Sequence, residues 1–154
     1  MSRVRLAVAA LTLSAAAFVG LAVKEGYSDT AIIPVPGDVP TLGFGTTGGV
    51  KMGDKTTPTK ALVRALDDVL RFEGALKQCV KVPLHQHEYD AYLSLAYNIG
   101  PTAFCNSTLV RVLNQEQYRE ACDQILRWDR FQGQPLRGLT IRRQKEHRQC
   151  LGDS

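Results

Sequence analysis

The chain has 154 residues, 44% of them hydrophobic and 22% charged, with a formal net charge of +4. That length holds one ordinary domain with an appendage and not two full domains. The composition excludes collagen-like, low-complexity and intrinsically disordered classes; the charge is too mild for a basic tail yet favours polyanionic surfaces.

The apolar residues gather at the start. After Arg3 and Arg5, Leu6 to Val23 reads LAVAALTLSAAAFVGLAV, 18 residues without a charge. As a helix this stretch would be roughly 27 Å long, barely enough to cross a bilayer. Seven alanines, with Thr12, Ser14 and Gly20, make its insertion weaker than that of a leucine-rich span. A cleaved signal peptide with Ala15-Ala16-Ala17 at its cleavage region, a permanent anchor, and a weak anchor that later leaves the membrane all suit such a leader; the weak anchor is the expectation carried forward. Positive charge before the segment and the near-neutral Lys24-Glu25 after it put the amino terminus in the cytoplasm and the body outside. Cysteine usage agrees. Cys79, Cys105, Cys122 and Cys150 are even in number and lack CxxC spacing, which favours two disulfides in an oxidising periplasm over a zinc site and leaves three pairings open.

From Lys24 to Asp54 the chain is rich in Gly and Pro and reads as loops with short strands at Ala31-Ile32-Ile33 and Val39 to Phe44. Thr56-Thr57-Pro58 then starts a helix, since Thr caps and Pro fits a first turn. Its expected apolar face is Ala61, Leu62, Ala65, Leu66, Val69, Leu70 and Phe72, opposite Lys60, Arg64, Asp67, Asp68 and Arg71. Further helices are expected at about 87–98, stopped by Gly100-Pro101, from Ser107 through Leu113, at about 116–128, and at about 140–149, with a loop over 132–138. The predicted class is α+β. A hydrophobic N-terminal helix in residues 1–23 precedes a body, 24–154, with a small β-containing lobe and a larger helical lobe, and a cleft between such lobes suits an extended polymer.

Glu25 stands at the end of the apolar leader, a setting that favours a protonated carboxyl as a general acid requires; alone it is an ordinary solvated flank. The residues that follow change its meaning. Glu25-Gly26-Tyr27 and then Thr41-Leu42-Gly43-Phe44-Gly45-Thr46-Thr47 are joined downstream by Val82-Pro83-Leu84, Glu88-Tyr89-Asp90, Asn98-Ile99-Gly100 with Ala103-Phe104 and Ser107-Thr108-Leu109, and Arg127-Trp128 followed by Gly138-Leu139, Arg142-Arg143 and Glu146. These blocks, in this order, resemble the phage lysozymes of glycoside hydrolase family 24 over nearly everything after residue 24.

The resemblance implies a lysozyme-like fold and cleavage of the β-1,4 bond between N-acetylmuramic acid and N-acetylglucosamine, with Glu25 as general acid and Thr41 as the catalytic threonine. Thr46 replaces the family's usual His. The family's second carboxylate would fall on Pro34, counted from the Glu, or on Val35, counted from the Thr, so the loop is rebuilt. Asp38 is the preferred substitute, Asp29 the alternative, and a site with no second carboxylate the third possibility. Arg142 corresponds to an arginine that pairs with the catalytic Glu in the family; a solvated basic face with Arg143, Lys145 and Arg148 is its other reading. The leader resembles that of phage endolysins with a signal-anchor-release segment, which implies a protein at the host inner membrane facing the periplasm and then free in the periplasm. It carries no cysteine, so control by disulfide exchange with the leader is not expected.

Two reaction alternatives stand beside the hydrolase: a lytic transglycosylase, and a peptidoglycan-binding protein without activity. His85-Gln86-His87-Glu88 lacks a third ligand at sensible spacing, so neither a metal nor a cofactor is expected. Gly43 and Gly45 precede no Lys-Ser or Lys-Thr and form no phosphate loop. The C-terminal basic cluster lacks a base-reading motif, so peptidoglycan and membrane are the expected partners, nucleic acid is not, and the protein is expected to be a monomer.

Overall fold

The computed structural model describes residues 4–153; Arg3, part of the basic start, lies outside them. The chain divides into two compact units. One is Ala15–Arg71, and the other joins the described residues up to Ser14 to those from Phe72 onward.

In the first unit, α1 (Ala15–Glu25) leads into an antiparallel pair, β1 (Ser28–Ile32) and β2 (Thr41–Gly43), with Ser28 opposite Gly43 and Ile32 opposite Thr41. The Thr30–Lys55 bridge adds a third edge, and Ala31, Leu42 and Val50 close a small core. α2 (Pro58–Cys79) begins as expected, with the Lys60 N–H donating to Thr57 Oγ1 at 3.4 Å. It runs past Phe72 into the second unit because Gly74 does not interrupt it. Its buried stripe is narrower than the sequence suggests. Ala61, Ala65 and Val69 are buried, whereas Leu62, Leu66 and Leu70 are 41%, 47% and 57% exposed. Small residues pack a close approach along 61, 65 and 69, and the leucines beside them are left outside.

The second unit is built on α3 (Gln86–Ile99), in which every residue from Glu88 to Tyr97 is buried. His85 caps it in a capping box closed by Glu88, whose Oε2 accepts from the His85 N–H at 2.8 Å. Gly100 caps the end of α3, as the sequence indicates, and Pro101 starts a new helix at its first position, α4 (Pro101–Cys105). α5 (Thr108–Leu113) has Ser107 as its cap, as the sequence indicates, with the Val110 N–H donating to Ser107 Oγ at 3.2 Å. The expected fourth helix is α6 (Tyr118–Gln124) followed by a 3-10 turn, Ile125–Arg127. The expected loop after it holds a small hairpin, β3 (Arg130–Phe131) with β4 (Gln134–Pro135), and α7 (Arg137–Leu151) packs on α3.

The leader is not one helix. It forms a 3-10 turn at Val8–Ala10, an extended piece, and then α1. A wholly apolar helix has no face to offer water, and breaking the stretch lets Val8, Leu11 and Leu21 reach buried positions. The backbone groups freed by the break find partners in the second unit. Leu6 and Leu84 exchange two 2.8 Å hydrogen bonds, the Leu13 N–H donates to Glu73 Oε1 at 2.7 Å, and Ser14 donates through N–H and hydroxyl to the two oxygens of Asp90 at 3.1 and 2.7 Å. Arg5 forms a forked pair with Glu88 at 3.1 and 2.8 Å and lies 3.6 Å from the Tyr118 ring centre. No described helix is long and apolar enough to cross a membrane.

The four cysteines form two disulfides, Cys79–Cys105 and Cys122–Cys150, with Cα separations of 5.6 and 5.7 Å. The first ties the end of α2 to α4, the second α6 to α7. Each closes a loop of 26 or 28 residues, for which chain entropy assigns about 3.5 kcal/mol apiece. Replacing Cys122 and Cys150 by Ser is therefore expected to lower the unfolding free energy by about 3 kcal/mol in urea titration; an unchanged midpoint would show that the bridge does not constrain the unfolded chain.

Candidate active site

Glu25 is the last residue of α1, and Gly26 turns the chain with φ of +69° toward β1. Oε1 of Glu25 is closed off from solvent. Its carboxyl rests on the turn that leaves β2. Leu42 and Thr46 bond across this turn in both directions, at 2.9 and 3.1 Å, so the four residues from Leu42 to Gly45 reverse the chain tightly, with φ of +64° at Gly43 and +83° at Gly45. A Cβ built on Gly45 would lie 2.7 Å from Glu25 Oε2 and 3.0 Å from its Cγ. Only a residue without a side chain allows this approach. Gly43 has a packing role of its own, because a Cβ there would come 2.8 Å from that of Ala61. Tyr27 and Phe44 flank the turn with ring centres 5.3 Å apart.

Thr41 opens the same strand, half-buried, its hydroxyl donating to the Val39 carbonyl at 3.2 Å. Asp38 sits three residues earlier, at the end of a turn closed by its N–H donating to the Val35 carbonyl at 3.0 Å, and its Oδ1 accepts from the Val39 N–H at 2.8 Å. This bond to the next residue along the chain orients the Asp38 carboxyl within the loop. Asp29 is exposed on β1, where its Oδ1 accepts from the Thr30 hydroxyl at 3.1 Å and its carbonyl from the Thr56 N–H at 2.9 Å. Glu25, Asp38 and Thr41 thus share one compact unit, and the strand begun by Thr41 leads directly to the glycine on which Glu25 rests.

Arg142 lies in the other unit, on α7. Its Nε donates to Glu146 Oε1 at 3.2 Å, and a terminal nitrogen donates to the Ser94 carbonyl at 3.4 Å. Glu146 also pairs with Arg143 at 3.2 Å and accepts from the Ser94 hydroxyl at 2.6 Å; Arg143 and Glu146 are fully buried, and Arg143 donates to Asn98 Oδ1 at 2.7 Å. Arg142 is therefore held in place on a rigid helix rather than lying on a solvated face with Lys145 and Arg148.

Thr46, standing where the resembling family has His, is 2% exposed and donates to Asp68 Oδ2 at 2.8 Å, while Asp68 Oδ1 accepts from Arg71 at 3.0 Å. This linked trio was not evident from spacing; the odd Thr in an otherwise matching turn was its one signal. The carboxylates that receive the leader, Glu73, Glu88 and Asp90, were also missed, because helix periodicity places them without showing what they bind. Glu73 accepts from the Tyr89 hydroxyl as well, at 2.7 Å, and burial followed by this bond pushes the Tyr89 phenol well above its usual range.

The histidines are used otherwise than as ligands. His85 caps α3 and its burial lowers its basicity, while His87 Nδ1 lies 3.1 Å from the Cys150 carbonyl. Among the described residues no group of three or more metal-binding side chains occurs.

The model of the phage lysozyme family matches residues 22–146. The SAR-endolysin of Pseudomonas phage phiKMV is 40% identical over 144 residues, 91% of this chain and 89% of that protein. The endolysin of Salmonella phage P22 is 38% identical over 127 residues, 79% and 82% of the two chains. Among solved structures, the endolysin of Escherichia coli O157:H7 phage FAHEc1 superposes with a TM-score of 0.80 at 31% identity, covering 94% of this chain and 96% of that one. The muramidase domain of SpmX from Asticaccaulis excentricus gives the same TM-score at 29% identity, covering 91% and 97%. The lysozyme-like fold, the placement of Glu25 on the glycine turn, and these likenesses agree: this chain belongs to the phage lysozyme family and is a glycosidase of the lysozyme type.

Proposed function

We propose that the protein is an endolysin that hydrolyses the β-1,4 bond between N-acetylmuramic acid and N-acetylglucosamine in peptidoglycan, acts as a monomer in the host periplasm, and is inactive while residues 1–23 are held in the inner membrane. The observation that carries the catalytic part is the Glu25 carboxyl seated on Gly45. Glycosidic cleavage needs an acid for the leaving oxygen and a carboxylate on the other face of the sugar. Glu25 protonates the bridging oxygen as the bond to C1 breaks; Asp38 and Thr41 orient a water whose oxygen bonds to C1, and its proton passes to Asp38. Arg142 is the supporting cation of this reading.

Glu25→Gln removes the only proton donor in this scheme and should slow the clearing of purified murein by about 10²- to 10⁴-fold. Full activity in that variant would refute the assignment. Asp38→Asn separates the reactions. Loss of rate with reducing-end products by mass fits hydrolysis, and an unchanged rate with anhydro ends would make the reaction a transglycosylation driven by Glu25.

Control by the leader draws support from two features. Val23 lies two residues before Glu25, so a leader buried in lipid would keep the acid at the membrane surface, away from Gly45. In the folded chain residues 5–14 are held by Glu73, Leu84, Glu88 and Asp90, contacts that a protein cleaved near Ala17 would lose along with the start of α1. Amino-terminal sequencing of periplasmic protein should read an intact leader; a terminus near residue 18 would mark an ordinary exported enzyme. Arg5→Ala leaves Glu88, 3% exposed, without its cation and should cost about 2 kcal/mol of leader docking, seen as faster chymotryptic cutting at Leu6, Leu11 or Leu13 and slower murein clearance. Unaltered cutting and rate would detach the leader contacts from activity.

A further inference from the structure

The turn that seats Glu25 is held from outside by one face of α2. Arg64, Asp68 and Arg71 lie four and three residues apart, so their side chains share a face of that helix, and all three meet the chain where the turn ends. Thr46, 2% exposed, donates its hydroxyl to Asp68 Oδ2 at 2.8 Å. Asp68 Oδ1 accepts from Arg71 at 3.0 Å, and a terminal nitrogen of Arg64 donates to the Gly48 carbonyl. A Cβ on Gly48 would stand 3.7 Å from Arg71 Nη1, so the chain after Thr46 runs along this arginine as well.

The tie to Asp68 acts on the turn's backbone. Both the N–H and the carbonyl of Thr46 are bonded to Leu42, at 3.1 and 2.9 Å, and the residue before Thr46 is Gly45. A Cβ on Gly45 would lie 2.7 Å from Glu25 Oε2, so the seat of the carboxyl is main chain, with no side chain to take up a shift. A displacement of Thr46 is therefore passed on to the contact with Glu25. The chemistry of the tie is also more than packing requires. Valine has the shape of threonine without a hydroxyl to desolvate, and a carboxylate whose side chain is 12% exposed needs a cation beside it. Asp68 has that cation in Arg71, and its other oxygen is committed to the Thr46 hydroxyl in a charge-assisted hydrogen bond.

We propose that Thr46 and Asp68 are positioning residues of the glycosidase: their hydrogen bond fixes the Gly45 turn and, through it, the place of the Glu25 carboxyl, while neither acts on the sugar itself. This role rests on Glu25 being the general acid. Such an acid must stand within hydrogen-bond reach of the leaving oxygen, and a misplacement of about 1 Å costs on the order of 10²-fold in rate.

The test measures kcat and KM of full-length variants on a soluble oligosaccharide of alternating N-acetylglucosamine and N-acetylmuramic acid, together with the unfolding midpoint of each in urea. Thr46→Val, which removes the hydroxyl and keeps the shape, should lower kcat about 10- to 100-fold with KM within about twofold. Thr46→Ser keeps the hydroxyl and loses a methyl group; it should stay within about threefold of the parent kcat even where its midpoint is the lower of the two. A merely structural threonine gives rates that follow the midpoints or do not change. Thr46→Val combined with Asp68→Ala should be no slower than the slower single variant, since both remove one bond. The proposal is overturned if Thr46→Val keeps the parent kcat, if the Ser and Val variants lose equally, if KM alone moves, or if the two losses multiply. Should Thr46→Val not fold, Asp68→Asn and Asp68→Ala make the same comparison from the other side. Asn keeps an oxygen for the hydroxyl and should hold kcat within about threefold, Ala should not, and equal values would overturn the proposal. Full activity in Glu25→Gln would defeat the catalytic reading, whereas a slow Glu25→Gln beside a fast Thr46→Val defeats the positioning role alone.

Discussion

The position of one carboxyl group against one glycine governs the site. Glu25 ends a helix and Gly45 ends a tight turn, and the two meet closely enough that a methyl group on the glycine would overlap the carboxyl. The contact needs three things of the sequence: a helix that stops at residue 25, a turn whose backbone takes positive φ at Gly43 and Gly45, and a cross-turn bridge between Leu42 and Thr46 that holds it. Thr46 is fixed in turn by Asp68 on α2. From α1 to α2 the chain is thus one linked arrangement in which the Glu25 side chain rests on a turn held by Thr46 and Asp68.

The same constraint explains the leader. In the folded chain residues 6–23 form a broken chain, since a continuous helix in water would leave a wholly apolar surface bare. In the folded chain the break falls at residues 11–14, and carboxylates on α2 and α3 take up the freed N–H groups of Leu13 and Ser14. Ser14, bound to Asp90, is the residue immediately before α1.

Much of this could be read from the residues. Capping at Ser107, the start at Pro58 and the class of fold follow from local chemistry, and the family follows from the order of the motifs. Other features escaped because they are settled by packing. Periodicity placed Leu62, Leu66 and Leu70 in a core that in fact selects the alanines next to them. Gly100-Pro101 stops α3 as read, but that Pro101 also opens the short α4 was not legible. The pairing of the cysteines and the partners of Glu73, Glu88 and Asp90 depend on contacts far apart in sequence, which no local pattern encodes. The broken leader escaped for the same reason, since Leu84, Glu73 and Asp90, which hold Leu6, Leu13 and Ser14, are remote in sequence.

The account turns on where a glycan strand meets the carboxyl of residue 25 in the released protein. A crystal structure of the Glu25→Gln variant with a bound oligosaccharide of alternating N-acetylglucosamine and N-acetylmuramic acid measures this directly. The account predicts a bridging glycosidic oxygen about 3 Å from the residue 25 side chain, with the sugar over the Thr41–Thr46 turn. A strand bound elsewhere, with its glycosidic oxygens out of reach of that side chain, would contradict it.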